Sequence, residues 1–180
     1  SVTMDEAERL TVIRATVEVA KKLKAFVIAG TGSNNTAATI DFTRNARQAG
    51  ADGALVVAPY YNKPTQEGLY RHYKTIAEAV DLPLVLYNIP SRTSVNMLPS
   101  TVARLSAIRN IVAIKEGAGS LQQVSEIIEA CGERITVLSG DDALTLPMMA
   151  VGAKGVITVT ANVAPADMAA LVDAFAAGHL

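Results

Sequence analysis

The sequence holds a single cysteine, Cys131, so it can form no internal disulfide, and that usage fits a reducing compartment. It also lacks an excess of charge, with 16 Lys and Arg against 17 Asp and Glu for a net −1. A nucleic-acid binder or a protein drawn to anionic membranes needs a basic surplus to meet phosphates, so neither partner is expected. No apolar run reaches the roughly 18 residues of a membrane span. The opening residues, Ser1 to Glu6, have neither the basic start nor the apolar block of a secretion signal. His72 and His179 have no ligand-spaced partners, so no metal is expected. No linker, low-complexity tract or charge block divides the chain. What is present is a composition half apolar and only 18% charged, which marks a large core. The expectation is one soluble, cytoplasmic domain over residues 1–180.

The dominant pattern is a short β-rich apolar run followed by a helical stretch. The runs are Ala25 to Ala29, Ala54 to Ala58, Leu84 to Asn88, Ile111 to Lys115, Ile135 to Ser139 and Val156 to Thr160. Their starts lie 29, 30, 27, 24 and 21 residues apart, about one strand plus one crossover helix. Leu-Val-Val-Ala and Pro-Leu-Val-Leu-Tyr are continuously apolar, as in strands covered on both faces, so the sheet is expected to be parallel. Thr3 and Glu6, like Ser120 and Gln123, have capping-box spacing, and Gly50 and Gly132 stand at expected helix ends. One leading helix and six strand-helix units leave two architectures, an open doubly wound sheet or a β/α barrel two units short of eight.

Gly30-Thr31-Gly32-Ser33-Asn34-Asn35 invites comparison with G-x-G-x-x-G, but its last position is asparagine. The second strand also ends in Ala58-Pro59-Tyr60, without the acidic residue that holds a ribose. A tight strand-to-helix turn is the better reading. Asp141 and Asp142 are expected to cap a helix near Ala143. The informative pair is Lys115 and Tyr87, which end consecutive runs. Alternation sets Ala113 and Lys115 on one face, Val112 and Ile114 on the other, while Val85 and Tyr87 share a face. In a closed barrel this points Lys115 and Tyr87 into the interior at the C-terminal mouth, where such barrels keep their chemistry. Apolar surroundings disfavour the ammonium, so Lys115 can attack a carbonyl as a neutral amine while Tyr87 moves protons. The plainer alternative is a lysine paired with Glu116 in solvent beside a tyrosine packed at the rim.

Six segments together resemble the dihydrodipicolinate synthase family of pyruvate-dependent class I aldolases. They are Val27-Ile-Ala-Gly-Thr-Gly-Ser33, Pro59-Tyr-Tyr-Asn-Lys-Pro64, Leu86-Tyr-Asn-Ile-Pro-Ser-Arg-Thr93, Ala113-Ile-Lys-Glu-Gly117, Ser139-Gly-Asp-Asp142 and Gly155-Val-Ile-Thr-Val-Thr-Ala-Asn-Val-Ala-Pro165. Each is short, but the set keeps the family's order and spacing over essentially the whole chain. The resemblance implies a (β/α)8 TIM-type barrel, of which about six units are present, and a homotetramer built from dimers. It implies no cofactor, because Lys115 itself holds pyruvate as a Schiff base. Tyr87 then transfers protons, and Tyr61 completes a relay in the neighbouring subunit's site. Arg92 meets the carboxylate of aspartate 4-semialdehyde, a role suited to its forked donors. The Ile157 carbonyl lies against pyruvate, and Gly140 forms the adjoining wall.

The implied reaction is condensation of pyruvate with aspartate 4-semialdehyde to 4-hydroxy-tetrahydrodipicolinate, in diaminopimelate and lysine biosynthesis. The alternatives are a related pyruvate lyase of the N-acetylneuraminate or keto-acid type, of which the sialic-acid lyases usually lack the arginine, and a non-catalytic barrel fragment acting in assembly. Two departures stand out. The family's first two strands, its C-terminal helical region and its Thr-Thr-Gly-Glu stretch are not among these 180 residues. Asn34 and Tyr60 match lysine-regulatory positions, yet Ala38 stands where lysine-sensitive members carry glutamate.

Overall fold

The computed structural model describes residues 3–179. Helix α1 (Glu6–Leu23) leads, and parallel strands then alternate with helices: β1 (Ile28–Gly30), α2 (Thr36–Gln48), β2 (Gly53–Val57), α3 (Gln66–Ala79) and β3 (Leu84–Asn88). After β3 come the short α4 (Pro90–Thr93), α5 (Pro99–Leu105), β4 (Ile111–Glu116), α6 (Leu121–Cys131), β5 (Thr136–Ser139), α7 (Thr145–Ala150) and α8 (Pro165–Ala176). The sheet order is β1-β2-β3-β4-β5, every pair parallel. A doubly wound sheet reverses its order once and puts helices on both faces. A sheet that advances one strand at a time, with crossovers of one hand, keeps them on one face and curls as an arc of a β/α barrel. The order therefore decides between the two architectures.

The helix side of that arc is the main core. Val56, Leu84, Leu86, Ile114 and Val137 from the strands pack with Leu69, Tyr73 and Ile76 of α3, Val102 and Leu105 of α5, and Val124 and Ile127 of α6. Each such side chain contributes roughly 1.5–3 kcal/mol by leaving water. Tyr73 is fully buried, and its hydroxyl donates to the Val56 carbonyl at 3.1 Å, so its polar end is satisfied.

Several expectations are corrected. The first helix is capped by Asp5, not Thr3: Asp5 accepts from the Glu8 amide at 2.9 Å and donates its own amide to the Glu8 carboxylate at 2.9 Å. The same box is built two residues later, where a short carboxylate reaches the amide. The sixth run, Val156 to Thr160, is not a strand. It keeps one parallel bridge, Ser139 to Val156, with the Ile157 amide donating to Ser139 at 3.0 Å. The amides of Val159 and Thr160 then turn to the Asp142 carboxylate at 3.2 and 2.8 Å, which takes them out of any ladder. Among the described residues the strand count is thus five plus a bridge. The face assignment within β4 also changes at its start: the ladder shifts register between Leu84 and Val85, which pair with Ile111 and Ala113. Val112 is the extra, bulged residue and is 40% exposed, while Ile111 joins Ile114 in the core.

At the two ends of the arc, apolar side chains face outward. Leu23, Phe26 and Ile28 are exposed beside β1, and Val159 and Val163 beyond β5. Strand edges and apolar faces in this state are association sites. A polypeptide of residues 1–180 alone is expected to self-associate in light scattering. A monodisperse monomer at micromolar concentration would count against that expectation.

Candidate active site

The site forms where β3, β4 and β5 end. Tyr87 and Lys115 are register partners across β3 and β4, and the Lys115 Nζ lies 4.3 Å from the centre of the Tyr87 ring. Lys115 is only 7% exposed. Burial pulls its pKa below the ordinary lysine value, with the Asp142 carboxylate opposing the shift. Burial raises the Tyr87 phenol, and the Arg92 guanidinium opposes it. The pair therefore has the character of an amine that can be neutral beside a phenol that keeps its proton. A solvent ion pair between Lys115 and Glu116 is not formed. Glu116 is buried and bonds to Asn88, Gln123 and the Ala118 amide instead.

Beside Tyr87 opens a recess of about 370 Å³ lined by Val57, Tyr60, Tyr87, Ile89, Arg92 and Thr93. Pro90 starts α4 immediately after β3, and this one-turn helix carries Arg92 to the recess. Thr93 fixes the turn, its hydroxyl placed 3.0 Å from the carbonyls of Ile89 and Val95. Among the residues expected from sequence, Tyr87, Lys115, Arg92 and Tyr60 are brought together. Asn34 lies instead against the loop that follows Tyr60, its carbonyl accepting from the Asn62 side-chain amide at 3.2 Å. Tyr61 is not brought in: it is 89% exposed, with φ of 73°, a left-handed conformation uncommon for a side chain of this size.

Gly140 and Ile157 border the end of β5. The Gly140 amide donates to the Glu116 carbonyl at 2.7 Å, and the Gly117 amide to Asn88 at 2.8 Å, so three strand ends are laced together. A Cβ on Gly140 would stand 3.0 Å from that carbonyl oxygen and 3.2 Å from Gly117 Cα, both backbone atoms with little freedom to yield. Gly140→Ala is therefore expected to cost about 1–3 kcal/mol by overpacking and to displace the end of β4. Denaturant unfolding measures the loss, and an unchanged midpoint would contradict it. Gly32 has a comparable role, since a Cβ there would meet the Val57 amide nitrogen at 2.4 Å. The glycine-rich segment is thus a close-packed turn, with Asn35 as cap of α2.

Two contributors were not read as such from sequence. Asp142 holds Thr160 through its amide and its hydroxyl, at 2.8 and 2.7 Å, and these bonds with Thr160 and Thr158 keep its pKa down at about 2. It thereby anchors the segment carrying Ile157. Neither aspartate caps the next helix as expected: α7 starts at Thr145 after Leu144 with no side-chain cap, and Asp141 instead accepts from the Ala143 amide at 2.9 Å in the preceding turn. Glu116 is the second. Its signal was strand parity, since the neighbour of an inward-facing lysine must face the helices.

The model of the dihydrodipicolinate synthetase family matches residues 1–180. The chain belongs to that family. It is similar to the 4-hydroxy-tetrahydrodipicolinate synthase of Geotalea uraniireducens, 62% identical over 180 residues, which are all of this chain and 62% of that protein. Among solved structures it resembles the chloride-inhibited dihydrodipicolinate synthase of Acinetobacter baumannii complexed with pyruvate. That likeness has a TM-score of 0.95 and 47% identity, covering 98% of this chain and 60% of that one. The dihydrodipicolinate synthase of Cyanidioschyzon merolae with lysine bound gives a TM-score of 0.93 at 40% identity, covering 97% and 59%. The chain thus spans about three fifths of the length of these family members.

Proposed function

We propose that this chain supplies the nucleophilic wall of a barrel aldolase that condenses pyruvate with aspartate 4-semialdehyde to 4-hydroxy-tetrahydrodipicolinate. The observation that carries the reading is Lys115, a nearly buried amine at a strand's C-terminal end, against the ring of Tyr87 and beside a recess that ends in Arg92. The neutral amine attacks the pyruvate carbonyl, water leaves, and the protonated imine draws electrons from the methyl carbon. That carbon loses a proton and adds to the aldehyde of the second substrate, whose amino group then attacks the imine carbon, closing the ring and releasing the Lys115 amine. Tyr87 is placed to give and take the protons of these steps. Pyruvate bound to the Acinetobacter protein and the name of the Geotalea relative support the substrate choice. No cofactor enters this chemistry. Tyr61, exposed on its strained loop, is suited to reach a second subunit, as in a tetramer built from dimers.

Borohydride reduction with pyruvate tests the reading in the protein expressed from its own gene. A three-carbon adduct at Lys115 by mass spectrometry is expected. No adduct, or one on another lysine, rejects it. Arg92→Ala should cut turnover of the semialdehyde far more than adduct formation, which separates the synthase from a sugar-acid lyase.

Lysine is expected to inhibit weakly. The first turn of α2 contains no acidic residue, and Ala38 offers no carboxylate to an ammonium group losing its water. Half-inhibition by sub-millimolar lysine would contradict this.

A further inference from the structure

On the helix side of the sheet, directly behind the two strand-end residues, lies a connected set of polar side chains, buried except for the half-buried Asn96, that the chemistry above does not use. Its centre is Glu116, 1% exposed. One carboxylate oxygen accepts from the Ala118 amide at 2.6 Å and from Asn88 Nδ2 at 3.2 Å. The other accepts from Asn88 Nδ2 at 3.0 Å and Gln123 Nε2 at 3.2 Å. Asn88 also donates to Asn96 at 2.8 Å and accepts from the Met97 amide at 2.9 Å. Asn96 and Gln123 exchange two bonds, at 2.8 and 3.1 Å. The ends of β3 and β4 and the first turn of α6 meet on one carboxylate, and the loop after α4 joins them through Asn96, which bonds Asn88 and Gln123.

Every neighbour of that carboxylate donates, and an ionised carboxylate is the side chain that only accepts. No cation is paired with it among the described residues. Burying such a group is costly, and a leucine would fill the same layer without that cost. Its place explains the expense. Asn88 and Glu116 are the rung of the β3–β4 ladder immediately after Tyr87 and Lys115. Fixing this last rung from behind fixes the one before it.

We infer that Glu116 is a positioning residue: through Asn88, Gln123 and the Ala118 amide it locks the ends of β3 and β4 and so sets Lys115 against Tyr87 for attack on the carbonyl. The inference rests on the Schiff-base reading, because that attack is what the geometry serves. An error on the ångström scale at the reacting atoms lowers a rate by about a hundredfold, so a loosened rung has a measurable price.

The test compares Glu116→Gln, and Glu116→Gln combined with Asn88→Asp, with the unsubstituted protein expressed from its own gene. Three quantities are read: the rate of borohydride-trapped pyruvate adduct, amide hydrogen exchange over residues 85–98 and 113–118, and the thermal midpoint. Glu116→Gln turns an amide donor toward donors, so trapping should slow by about tenfold or more with the fold retained. Exchange in the two segments should quicken by about tenfold. The double variant restores a donor facing an acceptor across the rung and should recover both to within about threefold.

Unchanged trapping and exchange in Glu116→Gln, or a double variant no better than the single, overturns the inference. Absence of an adduct in the unsubstituted protein rejects the Schiff-base reading separately, and the exchange data then decide the locking role alone. If Glu116→Gln does not fold, Glu116→Asp keeps the acceptors on a shorter arm. Slowed trapping in that folded variant supports the inference, and unaltered trapping overturns it.

Discussion

Lys115→Met is expected to abolish covalent capture of pyruvate and to lower turnover by roughly a thousandfold or more, without loss of stability. The two halves of this result have one cause. Burial disfavours the Lys115 ammonium in the folded state, so the native protein sacrifices stability to keep an amine there. Methionine has similar length and no charge to desolvate, so the melting midpoint should stay level or rise. A lysine retained only for packing or solubility would show the reverse pattern, with turnover kept and stability lost. Lys115→Arg is a useful companion, since a guanidinium stays protonated and cannot attack a carbonyl. Trapping with labelled pyruvate, read beside thermal melts, checks both variants. Turnover within tenfold of the unsubstituted protein in Lys115→Met would remove this residue from the mechanism.

The second large effect concerns acid. His72 of α3 is 6% exposed, with its Nδ1 2.8 Å from the Thr36 hydroxyl of α2 and its Nε2 buried without a partner among the described residues. Burial holds its pKa down at about 4, against an ordinary 6.5. Between these values the unfolded chain binds the proton and the folded one does not, so stability is full above pH 6.5 and drains away as pH falls toward 4. The loss from this group is about 3 kcal/mol. Glu116 slopes the other way, because burial raises its carboxyl. The comparison that isolates the histidine is therefore with His72→Asn, whose amide can still meet Thr36. Urea unfolding at pH 7 and pH 4.5 should show a steep loss in the unsubstituted protein and a clearly flatter one in the variant. Equal slopes would show that His72 does not govern this window.

The parts of the fold legible in sequence were those set by local chemistry. β3 was found residue for residue because Pro83 breaks the chain before it and a doubly covered strand reads as one apolar run. Lys115 and Tyr87 were singled out because they close consecutive apolar runs and alternation turns both to the same side, and the ladder does make them register partners. Ser120 caps α6 as its spacing promised. What escaped depended on distant partners. The carboxylate of Asp142 claims two amides of the sixth run from 17 and 18 residues away, and no window over Val156 to Thr160 can show that. Glu116 entered only as a solvent partner in the plainer reading of Lys115, because its donors come from Asn88 and from Gln123, one strand away and one helix on. The order of the strands, which separates an arc of a barrel from an open sheet, is a property of pairing and not of any single run.

The bulge at Val112 has a consequence for how this gene can change. Ile111 and Lys115 are four positions apart, an even count, and an unbroken strand would aim both the same way. Ile111 packs against the helices, yet Lys115 sits over the Tyr87 ring. One surplus residue reconciles the two by reversing the parity between them. Deleting Val112 leaves Ile111, Ala113, Ile114 and Lys115 in plain alternation, so Ile111 stays against the helices and the amine stays over the ring. The bulge is therefore a place where β4 can shorten without turning either side chain. Descendants of this sequence should vary in the letters of β4, and their number can drop by this one.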